Sequence, residues 1–263
     1  MTLPSCRHHH PAMDLGGKTA LVTGAARRVG RAIALALARR GASLVVHYAG
    51  SEVAATEAAS EIEDLGVSAW PVQADLRRRK EVERLFDAIR ERAGRLDVLV
   101  NSAASFERAR FADITVEAWD EVMALNLRAP FLCTQLATPL MRSAGSGAIV
   151  NIADLSGVRP WKKFAHHGTS KAGLIHLTRA AACELAPEIR VNCVVPGAIL
   201  PPPGMDEDSD RWRELARQTP LQRTGSPREL AEAVVFLISN DFITGAVLPV
   251  DGGDHLAAPR AIL

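Results

Sequence analysis

The chain has 263 residues, of which 48% are apolar and 23% charged, and its 31 Lys and Arg against 30 Asp and Glu leave a formal charge of +1. This composition excludes a disordered chain, a collagen-like repeat and a disulfide scaffold. A nearly neutral chain lacks the concentrated basic face that nucleic acid or an anionic membrane requires, so we expect a small-molecule partner and neither of those two.

The N-terminal residues contain Pro4, Pro11 and three consecutive histidines at 8–10. They lack the apolar stretch of a secretion signal, and no later window approaches the roughly 18 apolar residues of a membrane span. We interpret residues 1–14 as a flexible tail rather than a metal site, and we expect a cytoplasmic protein. The four cysteines show no metal-ligand spacing, which is typical of free thiols in a reducing compartment.

From residue 18 onward, short runs rich in Val and Ile alternate with longer stretches of helical period. This pattern predicts strands over 18–23, 43–48, 68–72, 97–101, 147–152, 189–194 and 246–250. It predicts helices over 28–40, 52–65, 77–93, 115–142, 165–186 and 227–239. The alternation is typical of a single doubly wound α/β domain, with a seven-stranded parallel sheet and helices on both faces, which we assign to residues 15–263.

The first predicted strand ends in a turn that opens directly into the first helix. Glycines in such a turn let the chain bend sharply and bring backbone N–H groups against a pyrophosphate. We therefore predict a dinucleotide site here, formed by Gly24, Arg27, Arg28, Val29 and Gly30.

The end of the second predicted strand indicates which dinucleotide binds. An acidic residue there would bind a ribose 2′-hydroxyl, whereas basic and polar groups accept a 2′-phosphate. No carboxylate appears before Glu52, so we predict NADP(H), held by a charge-assisted arginine fork. The candidate residues are Arg27, Arg28, His47, Tyr48 and Ser51. A solvated Arg27 is the alternative.

Further candidate cofactor residues follow the third and fourth predicted strands. Polar groups at this edge of a parallel sheet line the ligand crevice. They are Asp75, Leu76, Asn101, Ser102 and Ala103. Asp75 as a helix cap is the alternative.

An irregular insertion follows the sixth predicted strand, over 199–211, and its consecutive prolines exclude helix and strand. Long loops at this edge usually border the ligand. We interpret the insertion as a lid or substrate loop, and a solvated connection is the alternative.

Taken together, these motifs resemble the short-chain dehydrogenase/reductase family over about residues 15–256. The resemblance rests on the glycine turn, Asp75, the Asn101 segment, Asn126, Lys171, Pro196, Gly197, Thr244, Gly245 and the residues 251–253. It implies an NADP(H)-dependent oxidoreductase whose cofactor also contacts Lys171, Pro196, Gly197 and Ile199. It also implies a homodimer or homotetramer formed through the predicted helices 115–142 and 165–186.

Three departures resemble the pteridine reductase branch of that family. Arg28 replaces the middle glycine of the turn, Ser105 and Phe106 follow the Asn101 segment, and Asp154 stands where most members carry a catalytic serine. The resemblance implies hydride transfer to a C=N bond of a pterin- or folate-like ring. Phe106 would stack on the ring, and Asp154 would accept from its N–H groups or, when protonated, donate to it. A core aromatic and a turn cap are the alternatives for these two residues.

In this family a tyrosine exchanges the proton, four residues before the lysine and thirteen after the serine position. Both counts lead to His167, and Tyr48 is the chain's single tyrosine. A neutral imidazole still donates one N–H, and the neighbouring Lys171 favours that neutral form. We predict His167 as the proton donor, directly or through water. A ribose or structural ligand and a chemically silent replacement are the alternatives.

The sequence therefore predicts an NADPH-dependent reductase of a pterin-like substrate. The predicted catalytic residues are Asn126, Asp154, His167 and Lys171. The predicted substrate contacts are Arg28, Ser105, Phe106, Asp154 and His167. In the family Asn126 helps to hold a water beside the lysine, and a purely structural asparagine is the alternative. Two other functions stay open: a carbonyl reductase or alcohol dehydrogenase of the same family, and a catalytically weak NADPH-binding protein.

Overall fold

The apolar runs form one parallel seven-stranded sheet in the computed structural model, which describes residues 13–202 and 204–257. Residues 1–12, most of the predicted tail, lie outside the described residues. The strands are β1 (Thr19–Val22), β2 (Ser43–Tyr48), β3 (Ala69–Gln73), β4 (Val98–Asn101), β5 (Gly147–Ile152), β6 (Ile189–Pro196) and β7 (Val247–Val250). The predicted doubly wound α/β fold is confirmed.

The sheet order is β3-β2-β1-β4-β5-β6-β7. The chain runs outward from β1 to β3 and then crosses to β4 on the other side of β1, where Ala20 pairs with Val98. This reversal leaves a crevice outside the carboxyl ends of β1 and β4, which is where open α/β sheets bind their ligands.

Helices cover both faces of the sheet. They are α1 (Arg28–Ala38), α2 (Glu52–Glu63), α3 (Arg79–Arg92), α4 (Val116–Met123), α5 (Ala129–Ser143), α6 (Ala165–Leu185), α7 (Asp210–Gln218) and α8 (Pro227–Ser239). One apolar core lies beneath α1, α2 and α8, and a second lies beneath α3, α5 and α6. None of these helices is long and apolar enough to cross a membrane.

The predicted helix 115–142 contains a wide turn that its sequence pattern did not indicate. A π turn over Ala124–Arg128 separates α4 from α5. Pro130 has no N–H to donate to the carbonyl of Asn126, so the regular ladder cannot continue through this point. The turn places the side chain of Asn126 inside the protein, where it is fully buried.

The predicted irregular insertion 199–211 is wrong at its C-terminal end, because α7 begins at Asp210. Ser209 caps this helix by accepting a hydrogen bond from the backbone N–H of Trp212, and the Trp212 side chain is buried. The prolines at 201–203 exclude helix only in their own neighbourhood, and Pro203 lies outside the described residues.

Candidate active site

The predicted cofactor residues follow or close the carboxyl ends of the strands. They are Gly24, Arg27, Arg28, Val29 and Gly30 after β1, Tyr48 and Ser51 after β2, Asp75 and Leu76 after β3, Asn101, Ser102 and Ala103 at β4, and Pro196, Gly197 and Ile199 at β6. The side chains of Tyr48, Leu76 and Ile199 are buried, so these three would meet a ligand mainly through their backbone.

The turn after β1 brings backbone into very close contact. Gly24 has φ +70°, and a Cβ on Gly30 would lie 2.2 Å from the Gly24 carbonyl oxygen. Helix α1 begins at Arg28 with no acidic residue in its first turn. Its N-terminal N–H groups and positive dipole end are therefore available to a phosphate, and the turn fits a dinucleotide pyrophosphate.

His47 does not serve as the phosphate ligand that we predicted. The ring is 2% exposed. Its Nδ1 accepts from the Gly24 N–H at 3.0 Å, and its Nε2 donates to the Ala74 carbonyl at 3.0 Å. Burial lowers the pKa of His47 to about 4, despite the opposing contact with Ala74. The ring is thus neutral and holds the glycine turn from behind, a role for which the sequence carries no signal.

Two arginines flank the same turn. Arg27 is exposed and forms no ion pair with the residues that the structure describes, so its charge is available to a ligand. Arg28 has φ +53°, uncommon for a non-glycine residue, and its Nη2 donates to the Pro201 carbonyl at 2.7 Å. Arg28 therefore bridges the crevice from the glycine turn to the loop after β6.

Asp75 has local partners. Its carboxylate accepts from the Arg77 guanidinium at 2.9 Å and from the Arg77 backbone N–H at 3.1 Å. The hydrogen bond from the Arg77 side chain lowers the pKa of Asp75. It does not cap α3, whose N-cap is Arg78. The carboxylate is partly exposed and stays ionised at the rim of the crevice.

The crevice walls are tied together at β1 and β4. Thr23 Oγ1 accepts from the backbone N–H groups of Ser102 at 2.9 Å and Ala103 at 3.0 Å. Asn101 donates to Asn151 on β5 at 2.8 Å. These bonds fix the loop after β4 against the glycine turn.

The predicted catalytic residues meet at the adjoining end of β5. Asp154 follows β5, while His167 and Lys171 lie one helical turn apart on the same face of α6. Nε2 of His167 is 3.8 Å from Oδ1 of Asp154. The Nζ of Lys171 donates to the Ile152 carbonyl at 2.9 Å.

The charges in this cluster influence one another. Burial alone would raise the pKa of Asp154, but its interaction with His167 and its bond from the Ser156 N–H together hold the pKa below the ordinary value. Burial lowers the pKa of Lys171, and the nearby Asp154 opposes that shift. Asp154 is accordingly a carboxylate and an acceptor, not a hydroxyl-like donor.

His167 is 2% exposed, and its two ring nitrogens have different surroundings. Nδ1 is 3.0 Å from the Ser105 carbonyl oxygen. Nε2 has no hydrogen-bond partner among the described residues. A buried polar atom without a partner is rare and costly in native proteins, so Nε2 is the atom of this cluster that a ligand would satisfy.

An aromatic wall stands beside His167. Phe106 stacks on Phe164 with ring centroids 4.7 Å apart and meets the edge of His167 at 4.9 Å. Phe106 remains 46% exposed, so it can still contact a flat ligand. Sequence reasoning missed Phe164, although the aromatic pair Trp161 and Phe164 immediately before α6 was a signal for it.

Comparison with known proteins finds a matching family model and relatives that cover more than nine tenths of this chain. A family model described as enoyl-(acyl carrier protein) reductase matches residues 24–255. The 3-oxoacyl-(acyl-carrier-protein) reductase FabG of Staphylococcus epidermidis is 37% identical over 91% of this chain and 99% of its own. The FabG of Staphylococcus aureus is 39% identical over 91% of this chain and 98% of its own.

Two solved structures are also similar. The angucycline C-6 ketoreductase LanV with bound NADP is 34% identical, covering 95% of this chain and 100% of its own, with a TM-score of 0.86. A blue fluorescent protein from a metagenomic library in complex with NADPH is 33% identical over 92% and 99%, with a TM-score of 0.85.

Proposed function

This chain belongs to the short-chain dehydrogenase/reductase family and is an NADP(H)-dependent oxidoreductase, and we propose that it reduces its substrate with His167 as the proton donor. The buried, unpartnered Nε2 of His167, 3.8 Å from Asp154, carries this proposal. It lies at the position that the family's tyrosine takes by sequence count. His167 thus stands in for the tyrosine.

The chain's residues divide the work of a reduction. Bound NADPH supplies the hydride. His167 delivers a proton from Nε2 to the substrate atom that receives the electron pair. Lys171 donates one hydrogen bond to the Ile152 carbonyl, and its other two N–H groups are available to the nicotinamide ribose. Phe106 shields the reacting atoms from water.

Asp154 is the residue that selects the substrate. An ionised carboxylate accepts hydrogen bonds and cannot donate to a carbonyl oxygen. A ring with an N–H beside the reacting carbon satisfies it, which supports a C=N bond of a pterin- or folate-like compound. Arg28, Ser105 and Phe106 would complete the pocket around such a ring.

A ketone is the second candidate substrate, favoured by the relatives. They are named as 3-oxoacyl reductases and a ketoreductase. A ketone oxygen that accepts from Nε2 of His167 would also lie close to the Asp154 carboxylate, which has no hydrogen to donate to it. That repulsion supports the ring substrate over the ketone.

Purified protein tests the substrate by NADPH oxidation with a dihydropterin, folate, acetoacetyl thioester and a simple ketone. We expect turnover of the pterin or folate and little of the ketones. Asp154→Ser, which replaces the carboxylate by a hydroxyl donor, should lower the ratio of pterin to ketone turnover. Strong ketone reduction without pterin turnover by the unmodified protein contradicts the pterin proposal.

The preference for NADPH should depend on Arg27. Replacing Arg27 by alanine removes an exposed cation that is free to contact the 2′-phosphate, so we expect the Kd for NADPH to rise about tenfold, equivalent to one charge-assisted hydrogen bond. The Kd for NADH should not change. Arg40→Ala, two residues beyond the C-terminal end of α1, is the matched control. Equal losses for both cofactors would contradict the assignment.

The catalytically weak NADPH-binding protein remains the alternative from another class. The absence of the family tyrosine favours it, whereas the preserved Lys171 and the positions of Asp154 and His167 favour an enzyme. NADPH binding without turnover of any substrate, followed by turnover in His167→Tyr, would favour the weak binder.

Self-association is part of the proposal. The helices predicted to mediate it correspond to α4, α5 and α6. Phe131 on α5 is 46% exposed, an apolar group that a second copy would cover. We propose a homodimer or homotetramer built from the single domain of residues 15–263.

A further inference from the structure

Asn126 is paired with the backbone of a single neighbouring residue. Its Oδ1 accepts from the Ser105 N–H at 2.9 Å, and its Nδ2 donates to the Ser105 carbonyl at 3.1 Å. The Ser105 N–H requires an acceptor, so it fixes which end of the amide is oxygen. The paired bonds hold the Ser105 peptide in one orientation, with its carbonyl directed at Nδ1 of His167.

Three acceptors surround the two Nδ2 hydrogens of Asn126. The Ser105 carbonyl at 3.1 Å and Ser170 Oγ at 3.2 Å are the nearer two, and Ser170 in turn donates to the His167 carbonyl at 2.6 Å. Nδ1 of His167 is the farthest at 3.3 Å, so it receives no hydrogen from Asn126 when the nearer two are filled.

The Ser105 carbonyl therefore settles the tautomer of the imidazole. If Nδ1 carries the hydrogen, it donates to that carbonyl at 3.0 Å, and only Nε2 is left for a ligand. If Nδ1 were bare, its lone pair would face the Ser105 carbonyl oxygen at 3.0 Å, and the only nearby donor among the described residues would be the Nδ2 hydrogen of Asn126 that otherwise bonds to Ser170.

We propose that Asn126, through the Ser105 carbonyl, keeps a proton on Nδ1 of His167 throughout the reaction, so that Nε2 alone exchanges a proton with the substrate. The inference rests on the proposed function of His167 as proton donor. Asn126 is a positioning residue in this scheme, because it acts through Ser105 and His167 and does not touch the substrate. The neutral imidazole then has its one N–H committed to Ser105, contrary to our expectation that the neutral ring would donate.

The consequence is that reduction requires the imidazolium form of His167. With NADPH bound, its hydride would reduce the substrate carbon, leaving NADP⁺, and the neighbouring nitrogen or oxygen that receives the π electron pair would take the proton from Nε2 of His167. His167 would then be neutral, with its hydrogen on Nδ1. Solvent restores the Nε2 proton before the next turnover. Reduction therefore consumes a proton at Nε2, and we expect its rate to fall as the pH rises.

Charged and titratable groups face His167 from several elements. Asp154, after β5, has its Oδ1 3.8 Å from Nε2. Lys171 and His166 lie on α6 with His167, and burial lowers the pKa of both, while Glu107, after β4, opposes that shift for His166. Cys193 on β6 faces Lys171 and is buried, which raises the pKa of its thiol to about 11, so it stays neutral.

The tautomer is measurable without any substrate. Protein carrying ¹⁵N-labelled histidine, with His167→Ala used to assign the signals, reports which ring nitrogen is of the bare, pyridine type above the pH at which the ring loses its charge. We expect that nitrogen to be Nε2 in His167. A pyridine-type Nδ1 would overturn the inference while leaving His167 as the proton donor untouched. If no substrate is turned over, the same spectrum still decides the tautomer.

Asn126→Ala provides the kinetic test. Without Asn126 the Ser105 peptide is free to turn, and a neutral ring with its hydrogen on Nε2 becomes accessible. We expect kcat to fall about tenfold at acidic pH with little change in KM, and the alkaline decline of the reduction rate to become shallower. An alkaline decline identical to that of the unmodified protein would overturn the inference.

Asn192→Ala is the matched control. Asn192 is also buried and pairs with backbone in the same manner, donating to the Ile243 carbonyl at 2.9 Å and accepting from the Ala246 N–H at 3.0 Å. Among the described residues it forms no hydrogen bond with His167, Ser105 or Ser170. The variant should lose comparable stability and keep the pH profile of the unmodified protein, which separates positioning from a general structural effect.

Discussion

Replacing Lys171 by methionine should lower kcat/KM for NADPH-dependent reduction by about 10²- to 10³-fold. Lys171 is 4% exposed, and its ammonium donates to the Ile152 carbonyl at 2.9 Å. Its remaining N–H groups are the only donors that we assign to the nicotinamide ribose, and misplacing a hydride donor by about 1 Å costs on the order of 10²-fold in rate. Steady-state kinetics at saturating NADPH measure the loss.

The same variant should fold about as stably as the unmodified protein. Burial lowers the pKa of Lys171, so the charged form is penalised in the folded state. The unfolded chain binds more protons in the pH range just below the ordinary value of 10.5, and the stability of the unmodified protein therefore rises with pH there. Methionine removes that dependence and leaves one carbonyl unpaired, so we expect a change within about 1–2 kcal/mol.

Thermal unfolding at several pH values separates the two effects. Lys80→Met, on the exposed side of α3, is the control and should change neither rate nor stability. An unchanged kcat/KM in Lys171→Met would contradict the assigned role. A collapse of the melting temperature would instead show that the lysine is mainly structural.

The fold could be predicted because each buried parallel strand is apolar on both faces. The run that forms β4 (Val98–Asn101) needs no alternation and is bounded by polar residues on both sides. Helix α7 escaped prediction because Trp212 is its single buried residue. Its apolar residues Trp212, Leu215 and Ala216 recur at helical spacing, but they span little more than one turn, and the helix start depends on the cap at Ser209.

The candidate site was predictable where it depends on local spacing. Residues 167 and 171 are four apart on one helix, so they share a face, and Asp154 follows a strand that ends at the same edge. Contacts across the chain gave no such signal. His47 on the neighbouring strand accepts a hydrogen bond from the glycine turn. Asn126 reaches Ser105 only because the π turn directs its side chain into the protein interior.

Replacing His167 by alanine should lower kcat by about 10²- to 10⁴-fold, the usual contribution of a positioned general acid, while the Kd for NADPH stays the same. His167→Gln separates hydrogen bonding from proton transfer, because the glutamine amide can still donate to the Ser105 carbonyl but cannot transfer a proton to the substrate. We expect glutamine to lose as much kcat as alanine and less stability. His176→Ala, an exposed histidine on the same helix, is the matched control.

The His167→Tyr variant tests whether an imidazole or a phenol is the better proton donor beside Asp154. A phenol at 167 would meet the Asp154 carboxylate, which opposes ionisation of the phenol, whereas the imidazolium is favoured by the same carboxylate. His167→Tyr should therefore be slower than the unmodified protein on a pterin substrate, and the double variant Asp154→Ser with His167→Tyr should regain ketone reduction. A single His167→Tyr variant that exceeds the unmodified protein on every substrate would contradict the role of His167 and favour the weak NADPH-binding protein.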